Sequence, residues 1–277
     1  MERLRPYLAV FAARFLQMLQ YRTAALAGVT TQLWWGAVRV AILAAFYTGS
    51  AKAGAGAPIT LSQAITYTWL GQGLLALLPW NADPVIAAAV RTGSVSYDRL
   101  RPMDTYGLWF AGTLGWSAAR ALPRVLLMAL IAALLFPLVG LGRWAWQPPA
   151  TVDAALLFAL SLALAVLLST ALTMVINIVV VATLDARGAN LLMMPLATVF
   201  TGSLLPLSLY PDGARLALLA QPFAGVLDIP NRIYFGALSG PTAAAGIGLQ
   251  VFWILAIVTL GHLWLGRTMR RLQVQGG

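Results

Sequence analysis

Between Leu4 and Gln20 apolar side chains recur at helical spacing: Leu4, Tyr7, Leu8, Phe11, Phe15, Met18 and Leu19 share one face at about 100° per residue. Arg5, Gln17 and Gln20 fall off that face, and Arg14 sits at its edge, where an arginine can lay its stem on apolar surface and keep its head in water. The pattern predicts an amphipathic helix over residues 1–22, lying in a membrane surface. An amphipathic helix packed on a partner protein has the same pattern.

After residue 22 the apolar runs lengthen. A spanning helix needs about 20 mostly apolar residues, because the hydrocarbon layer is about 30 Å thick and unpaired backbone groups are costly inside it. Runs of that kind predict spans over Ala24–Tyr47, Leu61–Trp80, Asp104–Phe136, Val152–Thr183, Asn190–Leu205 and Thr242–Leu265, within one membrane domain covering residues 23–277. Pro123 lies inside the third and removes a backbone donor there. Gly49–Pro58 and Gly140–Pro149 are loops, the second with the interface-type residues Trp144 and Trp146.

Two stretches break the pattern. Asn81-Ala82-Asp83-Pro84 carries a helix-start signal, since a carboxylate can cap free N–H groups and proline suits the first helical position. It predicts a short helix from Pro84 to Thr92, stopped by Gly93. Residues 206–241 scatter Pro206, Pro211, Pro222, Pro230 and Pro241 among apolar pieces too short to cross. They predict re-entrant helices between the fifth and sixth spans; an external loop with aromatic anchors is the competing reading.

Composition agrees with an all-α membrane protein: 60% of the 277 residues are hydrophobic and 9% are charged, against roughly 25% charged in soluble domains. The net charge of +10 is almost all arginine. Those arginines border apolar segments and form no basic block, so anionic lipid head groups, not nucleic acid, are the expected counterpart. Eleven cationic residues fall on the N-terminal side of a six-span arrangement (Arg3, Arg5, Arg14, Arg22, Arg91, Arg99, Arg101, Arg187, Arg267, Arg270, Arg271), and four on the other (Lys52, Arg143, Arg215, Arg232). The positive-inside rule then predicts cytoplasmic termini. No signal-peptide pattern occupies the first 25 residues, so the N-terminal segment is expected to be retained.

Chemistry is sparse. Lys52 is followed by Ala53, which leaves no phosphate-binding loop. With one histidine and no cysteine, neither a metal site nor a catalytic residue is expected. His262 is expected to be a neutral histidine in a buried helix contact. All eight acids fall at predicted span ends or in loops, which disfavours a self-contained secondary carrier, because a proton or sodium relay needs a group that changes charge within the bilayer. A membrane-embedded enzyme is disfavoured by the missing nucleophile and acid/base constellation.

The segment Arg91-Thr92-Gly93-Ser94-Val95-Ser96-Tyr97-Asp98-Arg99-Leu100-Arg101-Pro102 resembles permeases of the type-two ATP-binding-cassette (ABC) exporter family, in particular the subgroup whose cytoplasmic connection carries a glycine and then a leucine-arginine-proline element. The resemblance covers nearly the whole chain. It implies cassette ATPase subunits as partners, with ATP and Mg bound there and no cofactor on this chain. It also implies a second permease chain, identical or homologous, and a multi-pass location in the inner (plasma) membrane.

By the same resemblance residues 83–104 are the connection that docks on the ATPase. Val85, Ile86 and Val90 would supply apolar knobs, and Arg91, Asp98, Arg99 and Arg101 a charged rim; an ordinary loop with positive-inside arginines is the alternative. The transport route has its own candidates. Arg39, Arg120 and Arg124 lie in or near spans, and a charge there must face protein, water or head groups. Arg39 can attract an anionic substrate or lipid phosphate, and Arg120 and Arg124, one turn apart, can share a partner. Asn177 suits an interhelical hydrogen bond. Tyr210, Phe223, Tyr234 and Phe235 offer surface for an external apolar gate. Export of an amphipathic or lipid-like small molecule by alternating access is what the resemblance implies.

Overall fold

A computed structural model describes residues 4–20, 22–49 and 58–271, without the side chains of residues 22–25 and 99. Residues 1–3, most of the first loop with Lys52, the side chains of Arg22 and Arg99, and the tail 272–277 lie outside the described residues. The described chain is helical throughout: α1 (Arg5–Leu19), α2 (Arg22–Gly49), α3 (Leu61–Leu74), α4 (Pro84–Arg91), α5 (Thr105–Ala129), α6 (Phe136–Leu138), α7 (Val152–Thr183), α8 (Ala186–Phe200), α9 (Asp212–Ala220), α10 (Asp228–Tyr234) and α11 (Gly240–Arg271). Among the described residues four stretches are long and apolar enough to cross a membrane: Leu26–Gly49, Thr105–Leu138, Val152–Thr183 and Gly240–Arg271. The second passes through Pro123 and takes wider π-helical turns at Leu130–Leu135 before joining α6.

The other two predicted spans are shorter than hydropathy suggested. In place of Leu61–Trp80, α3 covers 14 residues and a 3₁₀ turn adds Leu75–Leu77. Thr60 and Gln63 form a reciprocal cap at its start, at 3.2 and 2.9 Å. Its end is set by Pro79, which disfavours helical geometry at the residue before it; Leu78 is extended, with ψ 127°. In place of Asn190–Leu205, α8 begins at Ala186 because Asp185 caps it, accepting from the Arg187 and Gly188 N–H groups at 2.8 and 3.2 Å. It ends where Gly202 turns left-handed, at φ 81°.

The core is centred on α7, which packs against α4, α5, α8, α10 and α11. Its buried positions include Met174, Ile176, Asn177 and Ile178. Helix α1 lies along α5 at close range: a Cβ at Gly115 would stand 2.5 Å from the Phe11 carbonyl oxygen, so only glycine admits the α1 backbone there. This contact turns Tyr7, Val10, Phe11 and Arg14 toward α5 and leaves Leu4, Leu8 and Leu16 outward. Arg14, expected to reach for water at the edge of the apolar face, instead points inward, because a carboxylate waits for it there.

The segment between α8 and α11 is folded inward in part, with α9 left at the surface. Ala224 to Asn231 are all buried, so α10 is part of the core. Trp146, expected at a membrane interface, is buried as well, and its indole N–H donates to the Tyr234 hydroxyl at 2.9 Å.

Candidate functional site

Asp83 precedes Pro84 with extended geometry, φ −60° and ψ 123°, and caps α4 by accepting the Val85 N–H at 2.9 Å. Such a cap is worth about 1 kcal/mol. Its carboxylate does more than cap. Arg14 Nη2 from α1 donates to both oxygens, at 2.7 and 3.0 Å, and Thr113 Oγ1 from α5 donates to Oδ2 at 3.1 Å. The backbone of the same residue donates to Asn177 Oδ1 on α7 at 2.8 Å, and the Ala82 N–H to Asn190 Oδ1 on α8 at 2.9 Å. The start of α4 is therefore tied to α1, α5, α7 and α8 at once. Asp83 is 3% exposed in its side chain and Arg14 16%, a degree of burial at which removing either partner strands the other charge.

Beyond this junction the connection shows two faces. Ile86 and Val90, one turn apart, are buried in a cluster with Val95, Tyr106, Leu108, Trp109, Met174 and Ile178. They fasten α4 to its own bundle and are not displayed as knobs. Apolar residues four apart mark one helix face without saying which protein covers it. The outward face carries Val85, Tyr97 and Leu100, at 54%, 68% and 79% exposure, together with exposed Arg91 and Arg101. Asp98 accepts the Trp109 indole N–H at 2.9 Å and pairs with Arg101 at 3.3 Å, which holds the returning 3₁₀ turns of the connection, Ser94–Leu100, against α5. Gly93 ends α4 in the left-handed conformation, φ 73°. The Arg99 side chain lies outside the described residues.

His262 is exposed, and its Nε2 stands 3.0 Å from Asp104 Oδ1, while Oδ2 of the same carboxylate caps α5 through the Gly107 N–H at 2.6 Å. The expectation of a buried histidine is thus corrected: α11 runs on to Arg271, so this part of it flanks the start of α5 beside a carboxylate.

The remaining candidates do not converge. Arg39 on α2 is half-buried, donates to the Ser203 carbonyl at 2.5 Å and lines a cavity of about 370 Å³. Arg120 lies over the Trp116 ring, 4.2 Å from its centroid. Arg124 rests against Gly28 of α2. Among the described residues neither Arg120 nor Arg124 forms an ion pair with an acid. Asn177 belongs to the Asp83 junction. Phe223 packs against Phe200, and Tyr210 is half-buried in the segment between α8 and α9. Tyr234 and Phe235 are core residues: the Tyr234 hydroxyl donates to the Gln147 carbonyl at 3.0 Å, and Phe235 faces Tyr67.

One acid behaves unlike its sequence position. Asp228, bracketed by prolines and expected in a loop or at a span end, is completely buried. Its Oδ1 accepts the Leu207 N–H at 3.2 Å and lies 3.2 Å from the Tyr67 hydroxyl, and Oδ2 is 3.5 Å from Arg232. Burial pushes its carboxyl up to about 6, with Arg232 pulling the other way. A position outside the long apolar helices does not imply contact with water when the segment folds onto α7.

Arg14, Thr113, Asn190, Ser203 and Asp228 were not readable as site residues. Among the junction residues the sequence offered two local signals, the Asp83-Pro84 cap and Asn177 as a side chain suited to an interhelical hydrogen bond. A family model described as ABC-2 family transporter protein matches residues 58–276, a stretch that includes α4 and every later helix. Comparison with curated proteins and with solved structures gave no match.

Proposed function

The chain belongs to the ABC-2 family of transporter proteins, as a multi-pass membrane permease, and on that premise we propose that it is one permease subunit of an ATP-driven exporter moving an amphipathic or lipid-like small molecule by alternating access. Cassette ATPase subunits bind ATP and Mg and dock on the connection of residues 83–104. A second permease chain completes the route. Six crossings are reached by adding α3 with its 3₁₀ turn and α8 to the four long helices, with α9 and α10 re-entrant at the external end. Both termini are cytoplasmic, in the inner (plasma) membrane.

The observation that supports this reading is the Asp83 junction. A docking element transmits a push only if it moves with the helices behind it, and α4 is held to α1, α5 and α7 by charge-assisted and backbone hydrogen bonds. Its outward residues Val85, Arg91, Tyr97 and Leu100 are left for the ATPase. The buried Asp228 gives the secondary-carrier alternative one feature in its favour. That carboxylate lies outside the four long helices, however, and is held by Leu207, Tyr67 and Arg232, so it serves the external segment better than an ion relay.

Purification from native membranes followed by mass spectrometry tests the proposal. A cassette ATPase is expected to accompany the chain. Transport by the purified chain alone, driven by an ion gradient, would overturn it.

A further inference from the structure

Between α2, α3 and the connection after α8 lies the cavity of about 370 Å³ that Arg39 lines. This volume is at the small end of the range for small-molecule sites. Its walls are mainly apolar, with Val38 and Ile42 from α2 and Leu227 ahead of α10. Ile42 and Trp35 are 63% and 55% exposed on a helix long and apolar enough to span, so the α2 wall lies at the surface of the chain.

Polar groups gather on one side. Arg39 uses one N–H on the Ser203 carbonyl, and a guanidinium carries five donors in all. Ser203 lines the same cavity, is 7% exposed, and its Oγ is buried with no hydrogen-bond partner. Buried hydroxyls are normally satisfied, so an orphan beside a cavity calls for an absent partner. A guanidinium with donors to spare and an unpaired hydroxyl together match an oxyanion, and the apolar walls match a chain. A cationic head would be repelled by Arg39.

We propose that this cavity binds an amphipath with an acidic head, a carboxylate or phosphate, whose oxygens accept from Arg39 and Ser203 while its apolar chain lies along α2 and Leu227. The ligand is either a free acidic amphipath or the head group of a resident phospholipid. The site deepens the exporter reading by giving its cargo an acidic head, and rests on that reading only for its place on a transport route.

The test uses the full chain purified in neutral detergent, with 11-(dansylamino)undecanoate as probe, energy transfer from the tryptophans as readout and unlabelled dodecanoate as competitor. Saturable binding is expected, at least tenfold weaker for the methyl ester of the probe. Arg39→Gln is expected to weaken the acid at least tenfold and leave the ester unchanged, Arg39→Lys to restore part of the loss, and Ser203→Ala to cost a few-fold. Should Arg39→Gln fail to fold, Gly71→Leu fills the cavity from α3, where the nearest atom to a new Cβ is 3.8 Å away, and is expected to abolish displaceable binding. Repeating the titration in phosphatidylcholine nanodiscs with and without phosphatidylglycerol separates the sources. Competition by phosphatidylglycerol assigns the site to a phospholipid head group, and indifference assigns it to a free acid. Equal affinity for acid and ester, or displaceable acid binding unchanged in both Arg39→Gln and Gly71→Leu, overturns the proposal. No ATPase enters the measurement, so it can fail while co-purification with an ATPase still holds.

Discussion

Arg14 of α1 and Asp83 at the head of α4 are joined through two hydrogen bonds, at 2.7 and 3.0 Å, across 69 residues of sequence. The pair ties α1 to the start of α4. Taking one partner from a buried pair costs about 3–5 kcal/mol, because the other charge is left unpaired; the 16% exposure of Arg14 puts this case toward the lower end. Asp83→Ala and Arg14→Ala are each expected to lower the apparent melting temperature and uncouple ATP hydrolysis from transport. The double variant is expected to lose clearly less than the sum of the two. Strict additivity in that cycle would show that the residues act independently.

The two faces of α4 lead to opposite expectations. Ile86 is buried among the residues of α5 and α7, and Val85 on the preceding position is outward. Ile86→Asp places an unpaired charge in that cluster and is expected to reduce the yield of folded protein severely. Arg91→Glu with Arg101→Glu changes exposed residues; it gives up the partly exposed Arg101–Asp98 pair, which costs about 1 kcal/mol of stability, and is expected to keep the chain folded while reducing ATPase association and stimulated hydrolysis several-fold. Normal association in that variant would remove the connection from the docking surface.

What the sequence made legible was local. Asp83-Pro84, Asp104 and Gly93 announce helix ends through chemistry confined to a few neighbours, and the long apolar run Val152–Thr183 agrees with α7 at both ends. Hydropathy misjudged α3 and α8 because it counts apolar residues but not the turn chemistry of Leu78 before Pro79 or of Gly202. The candidate site was legible at its cap and, without its partner, at Asn177. Arg14 and Asp83, Asn177 and Asp83, and Arg39 and Ser203 are 69, 94 and 164 residues apart, and no periodicity within a helix reports which distant group will meet it.

Topology has a direct check, motivated by the arginine bias around the spans. Cysteine at Tyr97, on the exposed returning part of the connection, is expected to resist an impermeant thiol reagent added to intact cells. Cysteine at exposed Leu141, after α6, is expected to react. The native chain has no cysteine to confuse the readout. The reverse pattern would place the docking connection outside and refute the orientation.

Asp228 sets a pH dependence whose sign follows from its environment. Its carboxyl rises from an ordinary 3.8 to about 6, chiefly because it is buried, with Arg232 opposing. Between about pH 4 and pH 6 the folded chain therefore holds a proton that the unfolded chain has lost. Stability from this group is complete below pH 4, falls as pH rises through that window and is level above it. Two pH units correspond to on the order of 3 kcal/mol, or roughly 5–10 °C in the melting temperature of a protein of this size. The wild-type apparent midpoint in detergent, read against Asp228→Asn, separates the contribution of Asp228 from those of the other carboxylates. Asparagine keeps an oxygen for the Leu207 N–H and the Tyr67 hydroxyl but cannot ionise. The wild type is expected to lose stability relative to Asp228→Asn from pH 4 to pH 6, with the gap constant above that. Parallel profiles over the whole range would show that Asp228 does not titrate in this window.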